Sequence, residues 1–397
     1  MAEEGVVVVT INYRLGVFGF LALAELDSEG TPSGDFGLQD QHLALMWVKN
    51  NIAAFGGDPE NVTIFGQSAG AHAIGILMSS PLSQGLFNKA ILESGAFWDS
   101  EAGPIESFIQ ARQRGTAFKQ KFGVASVTQL RSMSAVAINN AALWNPATDP
   151  KLTAFTPSID NYILNDVPGR TFANGQQVKI PLLAGWTSDE QALFLPYGLS
   201  STSPTLFQDG LRDYFGIQAS EALALYPDAT QAELTTSSGN LVGDMVIREQ
   251  TFTAVNSQHR TAGLPPNSVW AYYFTYTSPY SPAAIHTAEI QFVFGNLGPN
   301  PLFGPTQPPP TSQDVAFSST LMGYWTNFAK TGDPNGNGLP TWPAFVGSGS
   351  DILGLGDAVV PNNYNISRLH FIASFRTDGV LPESWRNVND SAIGSER

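Results

Sequence analysis

Residues 61–70 read Asn-Val-Thr-Ile-Phe-Gly-Gln-Ser-Ala-Gly, a β-branched apolar run that passes through a G-x-S-x-G at Gly66, Ser68 and Gly70. The small-residue apolar stretch 69–78 follows, and then Lys89-Ala90-Ile91-Leu92-Glu93. The pattern predicts a strand, a sharp turn, a helix and a second strand. Such a unit restricts the chain to an α/β architecture, a mostly parallel central sheet flanked by helices.

The rest of the chain repeats that alternation. Val6-Val7-Val8-Val9-Thr10-Ile11 reads as a fully buried strand at the very start of the chain. Leu38, Leu45, Val48 and Ile52 recur at helical spacing and stop before Gly56-Gly57-Asp58-Pro59. Ile180-Pro181-Leu182-Leu183-Ala184 predicts an isolated strand, residues 269–276 another, and Phe317, Leu321, Tyr324 and Phe328 one face of a late helix. Residues 298–310 form a Pro-rich loop. Two irregular helical stretches, about 102–173 and 204–262, look like cap insertions in one domain spanning 1–397.

With 34 Asp+Glu against 19 Lys+Arg, the net charge of −15 has the wrong sign for nucleic acid or an anionic membrane. The apolar stretch 5–24 carries Asn12, Tyr13 and Arg14 at its centre and lacks a cleavage pattern, so it is neither a transmembrane span nor a signal peptide. Zero cysteines exclude a disulfide framework, a Cys-ligated metal and a thiol nucleophile. Asp333-Pro334-Asn335-Gly336-Asn337-Gly338 matches half of a calcium loop, but its twelfth position is Ala344, which makes it a surface turn. Neither a metal nor a cofactor is implied.

Ser68, between a strand and a helix, is the candidate nucleophile. A sharp turn lifts its hydroxyl above the sheet, and Ala69 N–H at the helix start is the candidate oxyanion donor. Serine needs a base held by a carboxylate. Among five histidines, His42 and His72 sit within helical patterns, His259 in a polar cap segment, and His370 in a run resembling a buried or edge strand. His286 follows the last clear strand and a Ser278-Pro279-Tyr280-Ser281-Pro282 turn, at a sheet end where sites of open α/β folds lie. Asp189 and Glu190, after the Ile180 strand, both satisfy the chain order Ser, acid, His; the residues alone leave the choice between them open.

Val6 to Gly16, Gly37-Leu38-Gln39-Asp40-Gln41, Phe55-Gly56-Gly57-Asp58-Pro59, Val62 to Gly70, Ala90 to Gly95 and Phe328 to Asn335 together resemble, in order and spacing, the type-B carboxylesterase/lipase family, cholinesterase-like α/β-hydrolases. The resemblance implies an α/β-hydrolase fold and hydrolysis of small-molecule or lipid carboxylic esters through an acyl-enzyme. It also implies Glu190 as the acid, in a G-x-x-x-D-E segment, and His286 as the base, in an H-x-x-E-I segment. By the same matching Ser94 and Glu289 are polar residues supporting the histidine. Gln67 stands where many cholinesterases carry Glu, which argues against cationic choline esters. Phe97, Trp98, Phe194 and Tyr197 are candidates for an acyl pocket or for the core.

The family carries, ahead of the Val6 strand, further strands and an H-G-G-G-type loop that completes the oxyanion hole; this sequence contains no such motif. The expectation is therefore a sheet lacking its N-terminal strands and a turnover reduced by about 100- to 1,000-fold per missing donor. A catalytically impaired fragment is one alternative reading. A non-catalytic adhesion member is another, although such members usually lack a triad residue and all three are present here. Sparse lysine and sequons at Asn365 and Asn389 suit a secreted protein.

Overall fold

The apolar runs assemble into one six-stranded sheet in the computed structural model, which describes residues 1–97, 105–142, 155–193, 198–304 and 306–382. In chain order the strands are β1 (Thr63–Gln67), β2 (Lys89–Glu93), β3 (Glu106–Ser107), β4 (Ser158–Ile159), β5 (Leu182–Thr187), β6 (Val269–Phe274), β7 (Ile352–Leu355) and β8 (Val359–Asn362). β3 and β4 pair separately, and the main sheet runs β1-β2-β5-β6-β7-β8. Its first four pairings are parallel, and β7–β8 is an antiparallel hairpin. Parallel neighbours require crossovers, which the helices supply.

Both faces of the sheet are covered, so its central strands are apolar throughout and sort by period two. Ala90, Leu92, Leu182, Ala184 and Ala271 join one core with Ile74, Leu77 and Met78 of the Ala69–Ser79 helix and Phe252 and Val255 of the Glu249–Arg260 helix. Ile91, Leu183, Trp270 and Tyr272 join the other with Phe317, Leu321, Tyr324, Trp325 and Phe328 of the Ser312–Thr331 helix. The expected first helix is Phe36–Asn51, burying Leu38, Leu45 and Val48.

The stretch 105–173 contributes helices such as Phe108–Lys121 with the β3–β4 pair, over a satellite core around Phe118 and Ile163. In 204–262, the helices Pro204–Phe215 and Gln231–Gly243 form a cluster around Phe207, Tyr226 and Leu234, whereas Glu249–Arg260 lies on the sheet itself.

Two local expectations fail, and two strands were not anticipated. Residues 6–11 form no strand and are unpaired, with Val7, Val9 and Ile11 exposed; they line a groove of about 690 Å³ together with the free edge of β1. A β-branched run forms a buried strand only when a neighbour takes up its backbone groups, and among the described residues nothing pairs with it. The His370 segment is a helix, Ser367–Ala373, opened by Asn365 Oδ1 accepting from Ser367 N–H, and His370 is exposed. Short apolar runs do not distinguish strand from helix. The four-residue strands β7 and β8 went unread for the same reason.

Candidate active site

Ser68 joins β1 to the Ala69–Ser79 helix at φ 53°, a left-handed conformation that a serine adopts only under constraint. The constraint comes from both sides: Ser68 N–H donates to Glu93 O at 2.8 Å, and its own carbonyl accepts from His72 N–H at 2.9 Å. His72 Nδ1 also lies 2.7 Å from Ser68 O, a structural role for that buried histidine. A Cβ at Gly66 would fall 2.8 Å from the Gly70 carbonyl carbon, so the strand and helix touch there. Gly70 itself faces open space on the groove, and close packing does not require that second glycine. Ala69, first in the helix, is an exposed residue whose N–H has no intrahelical acceptor.

Glu190 follows β5 at the start of a 3₁₀ turn and is fully buried. Its Oε1 accepts from Thr187 N–H and from Ser94 Oγ, each at 2.7 Å; its Oε2 lies 2.5 Å from His286 Nδ1. Burial alone would raise this carboxyl, but the His286 charge and the donors around it outweigh burial and hold it below the ordinary range. An ionised carboxylate only accepts, so Nδ1 carries a proton whether the ring is charged or neutral, and in the neutral ring Nε2 presents a lone pair. That lone pair meets Gln67 Nε2 at 3.1 Å, one residue from Ser68.

Of the two adjacent acids, Glu190 and not Asp189 faces the histidine, and the backbone sets this. Asp189 N–H donates to Ala284 O at 3.0 Å, and residue 189 forms a parallel bridge with Ile285, laying the acid turn beside the histidine loop. Asp189 then turns away to accept from Gln191. Thr187 O and Ser188 O are held in turn by Arg248, fully buried in a π-helical turn, Asp244–Arg248.

Ser94, at φ 53° after β2, thus donates to the same carboxylate that faces His286. Glu289 is buried at the N-cap of Ile290–Phe294, where its Oε1 lies 3.4 Å from the Tyr272 hydroxyl. Burial, reinforced by Glu93 and Glu190, raises its carboxyl well above the usual value. Glu93 is buried beside it and pushed up to about 7 by burial, against the opposing donation from Trp325 Nε1 at 2.6 Å. Sequence reasoning missed Glu93 and Arg248. The available signal for Glu93 was a carboxylate ending an otherwise apolar strand; a π-turn leaves no signature in the residues.

Phe97 is core, 5.1 Å from Phe172 between ring centroids, while Trp98, Phe194 and Tyr197 lie outside the described residues. Gly56-Gly57 closes the helix before β1, with Gly57 N–H on Ile52 O. Asp333 and Asn335 bond each other, and Asn335 bonds the Trp342 backbone, as a surface turn does.

A sheet of this topology, with a serine on a strained strand-to-helix turn and a buried Glu–His pair beside it, is that of an α/β-hydrolase. The chain belongs to the carboxylesterase family, whose profile matches residues 1–372. It is 35% identical over 353 residues to the para-nitrobenzyl esterase of Bacillus subtilis, covering 87% of this chain and 68% of that one. To the fumonisin B1 esterase of Sphingopyxis macrogoltabida it is 32% identical over 366 residues, covering 90% of this chain and 65% of that one. Among solved structures, a thermophilic pNB esterase superposes with TM-score 0.72 at 32% identity, covering 90% of this chain and 72% of that one. A Geobacillus stearothermophilus carboxylesterase does so with TM-score 0.72 at 31% identity, covering 91% and 74%. The chain thus spans about two thirds of the length of these curated relatives.

Proposed function

We propose that the protein hydrolyses small-molecule carboxylic esters through an acyl-enzyme on Ser68, with His286 as base and Glu190 as its carboxylate partner. The observation that carries this reading is the buried 2.5 Å contact of His286 Nδ1 with Glu190, which turns Nε2 toward the turn holding Ser68. Esterase relatives of the same family support the reaction class.

Substrate displaces the Gln67 amide from Nε2, and the Ser68 hydroxyl passes its proton there as Oγ attacks the ester carbonyl. The tetrahedral oxyanion accepts from Ala69 N–H at the positive end of the helix. Glu190 stabilises the imidazolium, which then protonates the leaving alcohol. A water activated by the same Nε2 attacks the acyl carbonyl and releases the acid, restoring Ser68. A neutral Gln67 beside this site favours uncharged over cationic alcohols. The acidic chain and the exposed Asn365 sequon support secretion.

Hydrolysis of short p-nitrophenyl esters tests the reading. The expected result is a burst of p-nitrophenol that Ser68→Ala abolishes; equal release by wild type and Ser68→Ala would sink it.

A further inference from the structure

The acid turn does not hold itself. Residues 187–191 leave β5, place Glu190 against His286 and turn Asp189 away, and carry three further acceptors: Thr187 O, Ser188 O and the Gln191 side-chain oxygen. All three are taken by one side chain. Arg248 Nε lies 3.3 Å from Thr187 O, and Nη2 lies 2.7 Å from Ser188 O and 2.8 Å from Gln191 Oε1. The remaining nitrogen, Nη1, donates to Asp244 Oδ1 at 2.8 Å and Asn240 O at 3.3 Å. Arg248 is 1% exposed and Asp244 is completely buried.

Two features of the adjoining helices make room for this clamp. The Asp244–Arg248 segment is π-helical, with Glu249 N–H on Asp244 O five residues back. One additional residue per turn rotates everything after it by about 100° relative to a regular helix, and π-turns are often retained for such re-aiming. The Gln231–Gly243 helix is also hollowed on one face. A Cβ at Gly243 would stand 2.7 Å from Arg248 Nη1, and one at Gly239 3.1 Å from Gln191 Cγ. These glycines are four apart, so they share a face, and that face receives the clamp and the residue it grips.

From this arrangement we infer that Arg248 is a positioning residue for the ester-hydrolysing site, fixing the turn that presents Glu190 to His286. The inference rests on the proposed Ser68–His286–Glu190 assignment for its catalytic consequence, but not for its geometry. The planar guanidinium suits the task because five donors in a rigid fork span three acceptors on one turn while staying paired to Asp244. Lysine, a point donor on a flexible stem, keeps the charge opposite Asp244 and loses the fork. Arg368 Nε also stands 3.0 Å from Asp244 Oδ2, and the Tyr226 hydroxyl bonds it at 2.9 Å, so removal of Arg248 does not strand that carboxylate.

The test compares Arg248→Met, Arg248→Lys and Gly243→Ala with Arg368→Met in the full chain, by amide hydrogen exchange and by the rate of Ser68 labelling with a fluorophosphonate. Thr187 N–H reports directly on the carboxylate, because it donates to Glu190 Oε1. Expected are exchange at Thr187 faster by about tenfold or more in both Arg248 variants, a smaller rise in Gly243→Ala, and none in Arg368→Met. Labelling is expected to fall by about 100-fold in Arg248→Met, with no rescue by lysine. Exchange at Thr187 unchanged in Arg248→Met, or accelerated equally in Arg368→Met, overturns the inference. Absence of labelling in the wild type would instead sink the triad assignment, while the exchange comparison still decides the clamp.

Discussion

Replacing Glu190 by glutamine changes one oxygen for an amide nitrogen, and the structure determines where that nitrogen goes. Oε1 receives two donors, Thr187 N–H and Ser94 Oγ, both at 2.7 Å, so the amide oxygen takes that position. The amide NH₂ then occupies the place of Oε2, against His286 Nδ1. Two donors cannot face each other, so Nδ1 must become the acceptor and the imidazole proton moves to Nε2. In that tautomer the ring cannot take the proton of Ser68. Flipping the amide instead turns its NH₂ onto Thr187 N–H and loses that buried hydrogen bond at about 1–3 kcal/mol, while the Ser94 hydroxyl rotates to accept. A wrong-tautomer histidine slows acyl transfer by about 10⁴-fold, or roughly 5.5 kcal/mol of barrier. The assay is the second-order rate of fluorophosphonate labelling of Glu190→Gln against wild type, with circular dichroism to verify folding. A folded Glu190→Gln that labels within about tenfold of wild type would refute the reasoning.

The two glycines of the turn respond oppositely: Gly66→Ala, whose Cβ meets the Gly70 backbone, suppresses Ser68 labelling, whereas Gly70→Ala is tolerated and raises the thermal midpoint through a helix-propensity gain of up to about 1 kcal/mol. Stability declines with rising pH because Glu93, held up to about 7, and Glu289, raised well above the usual value by burial and its acidic neighbours, bind protons in the folded state that the unfolded chain releases above the ordinary 4.5. Glu190, held low, contributes in the other sense, its stabilisation being lost as pH falls below 4.5. Urea midpoints across this range are expected to fall less steeply in Glu289→Gln than in wild type. Trp325→Phe removes the donor to Glu93 and is expected to destabilise by about 1.5–3 kcal/mol, measured by the same unfolding. Val7→Lys and Val9→Lys, on an exposed unpaired segment, reduce self-association in sedimentation velocity without lowering the thermal midpoint.

What was legible in the residues was whatever depends on local pattern. β1, β2 and the helix between them follow from β-branched runs around G-x-S-x-G, and β5, β6 and the Ser312–Thr331 helix from apolar periodicity. The placement of Ser68 on the strand-to-helix turn needed only that local context. Asp189 and Glu190 illustrate the limit: adjacent carboxylates point to opposite sides of a turn, and which side faces the histidine is decided by the 189–285 bridge, a contact between segments 96 residues apart. Family resemblance selected Glu190 where the residues could not. Residues 6–11 and the His370 segment misled because burial and pairing depend on neighbours rather than on composition. Arg248 was invisible because a lone arginine among apolar residues reads as surface, whereas a π-turn and two glycines bury it against the acid turn.

The central claim is that Ser68 is the nucleophile activated by His286. Mass spectrometry of the fluorophosphonate-treated protein tests it most directly. The account predicts a single adduct on the peptide containing Ser68, absent in Ser68→Ala and strongly reduced in His286→Ala. An adduct that persists in Ser68→Ala, or no adduct on folded wild type, would contradict it.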